Sequence, residues 1–289
     1  MPCRILEAMR HGYAELSSVR LHYVESGTGP LVVLLHGFPE FWFGWRAQIP
    51  ALAAGGFRVV APDLRGYNLS SRPRGHRAYA IDRLAGDVVE LIAERGAPRA
   101  HIVGHDWGGA IAWATAISHP AAVARLAVLN LPHPRRLRRA LRDPRQLRRS
   151  WYMLAFQLPW LPERLLAAGG WAPLRRSLTR DSAPGAFSTT DVGRYVDAWA
   201  QPGALTAMLD YYRAAMRARA GRPPLAPVQA PTLVVWGRHD RYLGADLARP
   251  DPADVPRLQR VVVLDCSHWV QHDEPAAVSR LLIDFFAEA

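Results

Sequence analysis

Val103-Gly104-His105-Asp106-Trp107-Gly108-Gly109-Ala110 stands between two segments of different period. Before it, Ala100 to Val103 is a short apolar run that reads as a buried strand. After it, Ala110-Ile111-Ala112-Trp113-Ala114-Thr115-Ala116 reads as a helix. Gly104-x-Asp106-x-Gly108 has the spacing of a nucleophile elbow, the sharp strand-to-helix turn that lifts one side chain above a sheet. Small flanking residues are needed because the turn brings the strand and helix backbones together, and the central residue sits in strained geometry.

The central residue here is an acid, where Ser or Cys is the commoner nucleophile. A serine that opened an epoxide or displaced a halide would end as an ether, which water does not cleave. A carboxylate attacking the same sp3 carbon gives an ester whose carbonyl belongs to the protein, and water can hydrolyse it and regenerate the acid. Asp106 therefore points to alkyl transfer followed by hydrolysis.

Outward from the elbow the chain alternates strands and helices. Tyr13 to Glu25 reads as a strand pair turning near Ser17-Ser18, and Leu31 to Leu35 as a central parallel strand. Phe41 to Ala54 has helical periodicity and stops at Gly55-Gly56. Phe57 to Ala61 is a strand, Ile81 to Arg95 a helix ended by Gly96, and Leu126 to Leu129 a strand. From His133 to about Pro224 strand-like runs cease, and Arg-rich, Trp-rich, Pro-interrupted helical pieces replace them. Strands resume at Pro231 to Gly237 and Arg260 to Leu264, and Ala276 to Ala287 closes the chain as a helix. The pattern predicts one mostly parallel α/β sheet flanked by helices, formed by 1–132 and 225–289. A helical cap, 133–224, is inserted over the carboxyl edge of the sheet, where ligands bind.

An aspartyl nucleophile needs a base to activate water, and the base needs an orienting acid. The expected chain order is nucleophile, acid, His. Asp240 lies just past the strand ending Trp236-Gly237, and His268 takes the same position one strand later. His239 is the rival base, but it precedes the acid and leaves the wrong strand. Asp265 and Asp273 read as surface or turn carboxylates, and Asn130 carries no charge to serve as the acid. The ester needs an oxyanion hole of backbone N–H groups. Trp107, after the nucleophile, supplies one; Phe38, in His36-Gly37-Phe38-Pro39, is placed for the other.

Four stretches carry a family resemblance: His36-Gly37-Phe38-Pro39-Glu40-Phe41-Trp42, Asp63-Leu64-Arg65-Gly66-Tyr67, Gly104-His105-Asp106-Trp107-Gly108-Gly109 and Asp265-Cys266-Ser267-His268-Trp269. With them the chain resembles an epoxide hydrolase of the soluble type, of α/β-hydrolase fold, along essentially its whole length. The resemblance implies two lid tyrosines that hydrogen-bond the epoxide oxygen: Tyr152, in Ser150-Trp151-Tyr152-Met153, and Tyr212, before Arg213, with Tyr211 as the near miss. It implies a small apolar epoxide held by Phe38, Trp107, Tyr152, Tyr212 and Trp269, water as co-substrate, a diol product and no metal or organic cofactor. Trp42, Trp151, Trp160, Trp199 and Leu158 are read as apolar pocket candidates.

Haloalkane dehalogenases share the Asp elbow and the ester chemistry, but typically carry Asn where Phe38 stands and lack the lid tyrosines. Haloacetate dehalogenases resemble the lid, but usually carry Arg where Trp107 stands. A non-catalytic ligand-binding protein of the same fold is the third reading; decay of the triad would be expected there, and Asp106, Asp240 and His268 are all present.

The net charge is +11, and all 36 basic residues are Arg. Eight of them crowd into Pro134 to Arg149. No aromatics interleave them, so they read as a solvated helix face with Leu137 and Leu141 inward, and no nucleic-acid partner is expected. No run reaches the roughly 18 apolar residues of a membrane span, so no stable membrane insertion is expected. Cys3 and Cys266, the only cysteines, lie far apart, which favours unpaired thiols and the cytoplasm. A homodimer is compatible with the sequence.

Overall fold

The apolar runs become interior strands of one sheet. In the computed structural model, which describes residues 9–217 and 225–288, the strands are β1 (Arg10–Glu15), β2 (Arg20–Ser26), β3 (Leu31–Leu35), β4 (Arg58–Pro62), β5 (Ala100–His105), β6 (Val123–Leu129), β7 (Thr232–Gly237) and β8 (Leu258–Leu264). Their order across the sheet is β1-β2-β4-β3-β5-β6-β7-β8. The β1–β2 and β2–β4 pairs are antiparallel and the others parallel. Every residue of β3 and of β7 is buried. Strands buried on both faces must be covered on both faces, so helices flank the sheet.

The flanking helices are α1 (Gln48–Ala54), α2 (Ile81–Glu94) and α3 (Trp107–Ser118). Between β6 and β7 come α4 (Pro134–Ala140), α5 (Pro144–Arg149), α6 (Trp151–Ala155), α7 (Leu161–Thr179), α8 (Thr189–Trp199) and α9 (Ala204–Arg217). The chain closes with α10 (Val270–Asp273) and α11 (Pro275–Ala287). In α2, Leu84, Val88, Leu91 and Ile92 form the inward stripe. No strand occurs among the described residues between β6 and β7. No helix among the described residues is long and apolar enough to cross a membrane. Cys3 and the expected boundary at 224 lie outside the described residues.

Three hydrogen bonds tie the helical segment to the loops at the carboxyl edge of the sheet. The Trp199 indole N–H donates to Pro39 O at 2.6 Å, the Tyr211 hydroxyl to Arg65 O at 2.8 Å, and the Trp269 indole to Ser177 O at 3.0 Å. These buried donors fix the segment over the ends of β3, β4 and β8.

Two local expectations need correction. Residues 41–54 are not one helix: Trp42–Trp45 is a 3-10 turn and α1 starts at Gln48. Pro50 has no N–H to continue a helix from upstream and is tolerated only in a first turn. The Arg-rich stretch is two helices broken at Asp143-Pro144, where the Asp143 side chain caps α5 by accepting from Arg145 N. Leu137 and Leu141 are only half-buried. Within α7, Ala168–Trp171 leave helical geometry, with Gly169 and Gly170 at φ 58° and 64°, and Pro173 opens the second half.

Candidate active site

Asp106 sits at φ 49°, ψ −119° between β5 and α3, a conformation that costs a non-glycine residue energy. Its neighbours make that turn sterically available. A Cβ on Gly104 would lie 2.2 Å from Gly108 O, and one on Gly108 would lie 2.0 Å from Leu35 O. Gly37, in the loop after β3, clears the other side: a Cβ there would lie 2.4 Å from Asp106 Cβ. The bond between Phe38 and Pro39 is cis.

The predicted residues arrive at one edge because each follows a neighbouring parallel strand. Phe38 follows β3, Asp106 β5, Asp240 β7 and His268 β8. The Phe38 N–H donates to Asp106 Oδ1 at 2.9 Å. His268 Nε2 stands 3.8 Å from Asp106 Oδ2, and its Nδ1–H donates to Asp240 Oδ2 at 2.8 Å. The Trp107 N–H opens α3 and so has no intrahelical acceptor.

Asp240 is buried and accepts four hydrogen bonds. Tyr242 N and Leu243 N donate to Oδ1 at 2.7 and 2.9 Å; Asn130 Nδ2 and His268 Nδ1 donate to Oδ2. Burial raises its pKa, but His268, Asn130 and the Leu243 N–H outweigh burial and hold it below the usual carboxylate value. For His268, burial disfavours the cation. The field and hydrogen bond of Asp240, then the field of Asp106, overcome this and raise the imidazole to about 8.

A cavity of about 810 Å³ opens onto this group. Asp106 and His268 share its lining with Phe38, Tyr152, Phe156, Tyr212, Tyr242 and Trp269. Burial first, and then the field of Asp106, keep the phenols of Tyr152 and Tyr212 protonated far above their ordinary range. Their rings meet edge to face, 5.9 Å apart. Tyr211 points away, its hydroxyl bound to Arg65 O.

Some expected residues lie elsewhere. The Trp107 ring packs edge-on against Tyr211 and Tyr212, behind the cavity lining rather than in it. Among the apolar pocket candidates only Trp151 lines the cavity. Trp42 and Trp199 are buried in the core, while Trp160 and Leu158 are exposed. His239 is exposed and pairs with Asp265 at 2.9 Å. Asp273 accepts from Ser267 N in its own turn at 2.9 Å and also from Ala183 N of the helical segment at 2.8 Å. The site also uses residues that sequence reasoning passed over. Asn130, at φ 46°, accepts from Gly237 N–H at 3.2 Å with the same side chain that reaches Asp240. Its position just past β6, in the same row as Asp106 and Asp240, was the available signal. Tyr242 packs edge-on to His268 at 5.1 Å.

Behind His268 lies a second buried polar group. His105 Nε2–H donates to the His268 carbonyl at 2.9 Å. Glu40 accepts from the Tyr195 hydroxyl at 2.9 Å, Gln271 Nε2 at 2.9 Å and His272 Nε2 at 2.6 Å. Burial opposes the Glu40 charge, but His272 and His105 beside it hold its carboxyl well below the ordinary value.

A family model described as alpha/beta hydrolase fold matches residues 30–275. The AB hydrolase superfamily protein YfhM of Bacillus subtilis (strain 168) is 39% identical over 284 residues, 97% of this chain and 99% of that protein. Epoxide hydrolase 4 of Homo sapiens is 36% identical over 289 residues, 96% of this chain and 79% of its own length. A solved structure of Bacillus megaterium epoxide hydrolase, in complex with an inhibitor, superposes with a TM-score of 0.87 at 31% identity, covering 96% of this chain and 100% of that one. With its eight-stranded, mostly parallel sheet and its match over residues 30–275, the chain belongs to the α/β-hydrolase family, alongside relatives named epoxide hydrolases.

Proposed function

We propose that this protein hydrolyses epoxides to vicinal diols through an ester on Asp106. The observation that carries the reading is one cavity holding a carboxylate nucleophile, a His–Asp pair beside it and two protonated phenols. A nucleophile with a base would serve several leaving groups. The phenols narrow the choice, because they offer hydrogen bonds to an oxygen that stays attached to the substrate.

Tyr152 and Tyr212 bind the epoxide oxygen. Asp106 Oδ2 attacks a ring carbon, the C–O bond breaks, and the alkoxide takes a phenolic proton. Oδ1, already held by the Phe38 N–H, becomes the ester carbonyl oxygen. His268 then removes a proton from water, and the hydroxide adds to the Asp106 carboxyl carbon. The N–H groups of Phe38 and Trp107 stabilise the oxyanion. Collapse expels the diol oxygen, which takes the proton from His268. The second water proton, left on the Asp106 carboxyl, restores the phenol. Asp240 orients His268 throughout and stabilises its cation. In this reading residues 133–224 act as a cap that supplies both tyrosines to a core of 1–132 and 225–289.

The test is the intact mass of His268→Ala after exposure to aryl and alkyl epoxides, haloalkanes and haloacetate. Loss of the base traps the ester. An adduct equal to a whole epoxide supports ring opening. An adduct equal to substrate minus halide moves the protein to dehalogenation, and no adduct with any of them counts against the covalent reading and toward a binding role for the fold.

A further inference from the structure

The cavity around Asp106 is aromatic near the carboxylate and basic at its solvent end. Arg148, Arg149, Arg176, Arg180 and Arg241 line it, and all five are exposed. They come from three elements: α5, the second half of α7 with the residue after it, and the loop after β7. They are therefore not one solvated helix face but guanidinium groups converging on one opening. A second, open cleft of about 860 Å³ shares this wall: Arg149, Arg180, Asp181 and Arg241 line both spaces, and Arg238, paired with Asp265 at 3.4 Å, lines the second.

Little at the rim neutralises these charges. In the cavity lining Asp181 is the one acid besides Asp106, and in the neighbouring cleft Asp246 lies beside Arg149. Asp181 is already taken by Arg241 at 2.7 Å and by the Tyr242 hydroxyl at 2.8 Å. Arg149 reaches only the Asp240 carbonyl, at 3.4 Å. Arg148, Arg176 and Arg180 form no ion pair among the described residues.

We propose that this rim is an anion subsite, and that the protein selects epoxides carrying a carboxylate or phosphate at the end remote from the ring. The proposal rests on the epoxide-hydrolase reading above and names its substrate class. The guanidinium fork matches both oxyanions, and several together raise the local concentration of an anionic substrate. Any one exposed pair would be weak, so the selection lies in convergence. The anion must be remote because the reacting carbon has to approach Asp106 to about 3–3.5 Å. A negative group beside that carbon would meet the attacking carboxylate, and no arginine pairs with Asp106 among the described residues.

The test compares kcat/KM for 4-carboxystyrene oxide, 4-(phosphonomethyl)styrene oxide and the uncharged methyl ester of the first. Each acid is expected to exceed the ester by on the order of tenfold at low ionic strength. That ratio should shrink toward one in about 1 M salt, and fall in the Arg176→Gln/Arg180→Gln double variant. Preference for only one acid identifies the anion. Equal values for acids and ester overturn the subsite while leaving epoxide hydrolysis standing. Should none of the three turn over, calorimetry with the matching diols decides. Tighter binding of the acidic diols supports the subsite although the hydrolase reading has failed, and equal or undetectable binding of all three overturns it.

Discussion

Asn130 Nδ2 stands 2.6 Å from Asp240 Oδ2, the same oxygen that takes the His268 Nδ1 proton at 2.8 Å. The other end of that amide accepts from Gly237 N–H. One side chain thus fastens the end of β6 to the end of β7 and sets the position of Asp240 against His268. Asn130→Ala leaves a buried donor and a buried carboxylate each one partner short. It is expected to cost about 1–3 kcal/mol in denaturant unfolding and to lower kcat by on the order of tenfold through misplacement of the base. Asn130→Asp puts a second carboxylate against Asp240 and should be worse on both counts. Wild-type kcat in either variant would show that the amide does not position the pair.

The two lid phenols should act in the first half of the reaction. Tyr152→Phe and Tyr212→Phe are each expected to slow ester formation by on the order of 10²-fold, the usual loss for one donor to a developing oxyanion, with smaller effects on ester hydrolysis. Single-turnover kinetics with a chromophoric epoxide separate the steps. Tyr211→Phe is the control: it loses the bond to Arg65 O and about 1 kcal/mol of stability, with ring opening intact.

His268 should titrate differently before and after alkylation. In the free site burial lowers its pKa, while Asp240 and Asp106 raise it, to a net value of about 8. The ester carries no charge on Asp106, so one of the raising fields disappears, those of Asp240 and Glu40 remain, and the imidazole becomes easier to deprotonate. Ester hydrolysis, which needs neutral His268, is expected to rise with pH through a midpoint below about 8. A single-turnover pH profile of the hydrolysis step with its midpoint at or above that value would contradict this coupling. For stability the sign is opposite. The folded pKa exceeds the unfolded value of 6.5, so this group's contribution is full below pH 6.5 and is lost as pH rises through about 8.

Glu40 anchors the layer behind His268. Glu40→Ala removes the acceptor of Tyr195, Gln271 and His272 at once. Removing one partner of such a buried group is expected to destabilise by about 3–5 kcal/mol, measurable by urea unfolding. Because the folded pKa is depressed, the native chain's stability from this group is present above its ordinary value of 4.5 and lost as pH falls below it. A flat stability profile across the acid range would remove Glu40 from that role.

What could be read in advance followed from local chemistry. The elbow was legible because Gly104, Asp106 and Gly108 are close in sequence and their steric demands are local. Asp240 and His268 were legible because each directly follows an apolar strand. Asn130 is not legible in this way, since its value lies in a bond to Asp240, far along the chain. Tyr211 and Tyr212 were not separable by composition. Adjacent helical residues point about 100° apart, and only packing decides that Tyr211 turns to Arg65 while Tyr212 faces the cavity. The break at Gly169-Gly170 in α7 follows a recognisable signal, whereas the arginines meeting at the cavity mouth come from segments with no sequence relation to one another.

The strand that carries Asp106 belongs to the early part of the chain, while the strands that carry Asp240 and His268 follow the whole helical segment. They join the sheet through a single ladder, Leu126–Leu129 against Thr232–Val235. On the mechanism proposed above, the attacking group exists during synthesis before the groups that release it. A chain truncated ahead of β7 would then hold a carboxylate open to alkylation and no base to undo the modification. In that mechanism, closing the ladder separates a catalyst from a protein consumed by its own substrate.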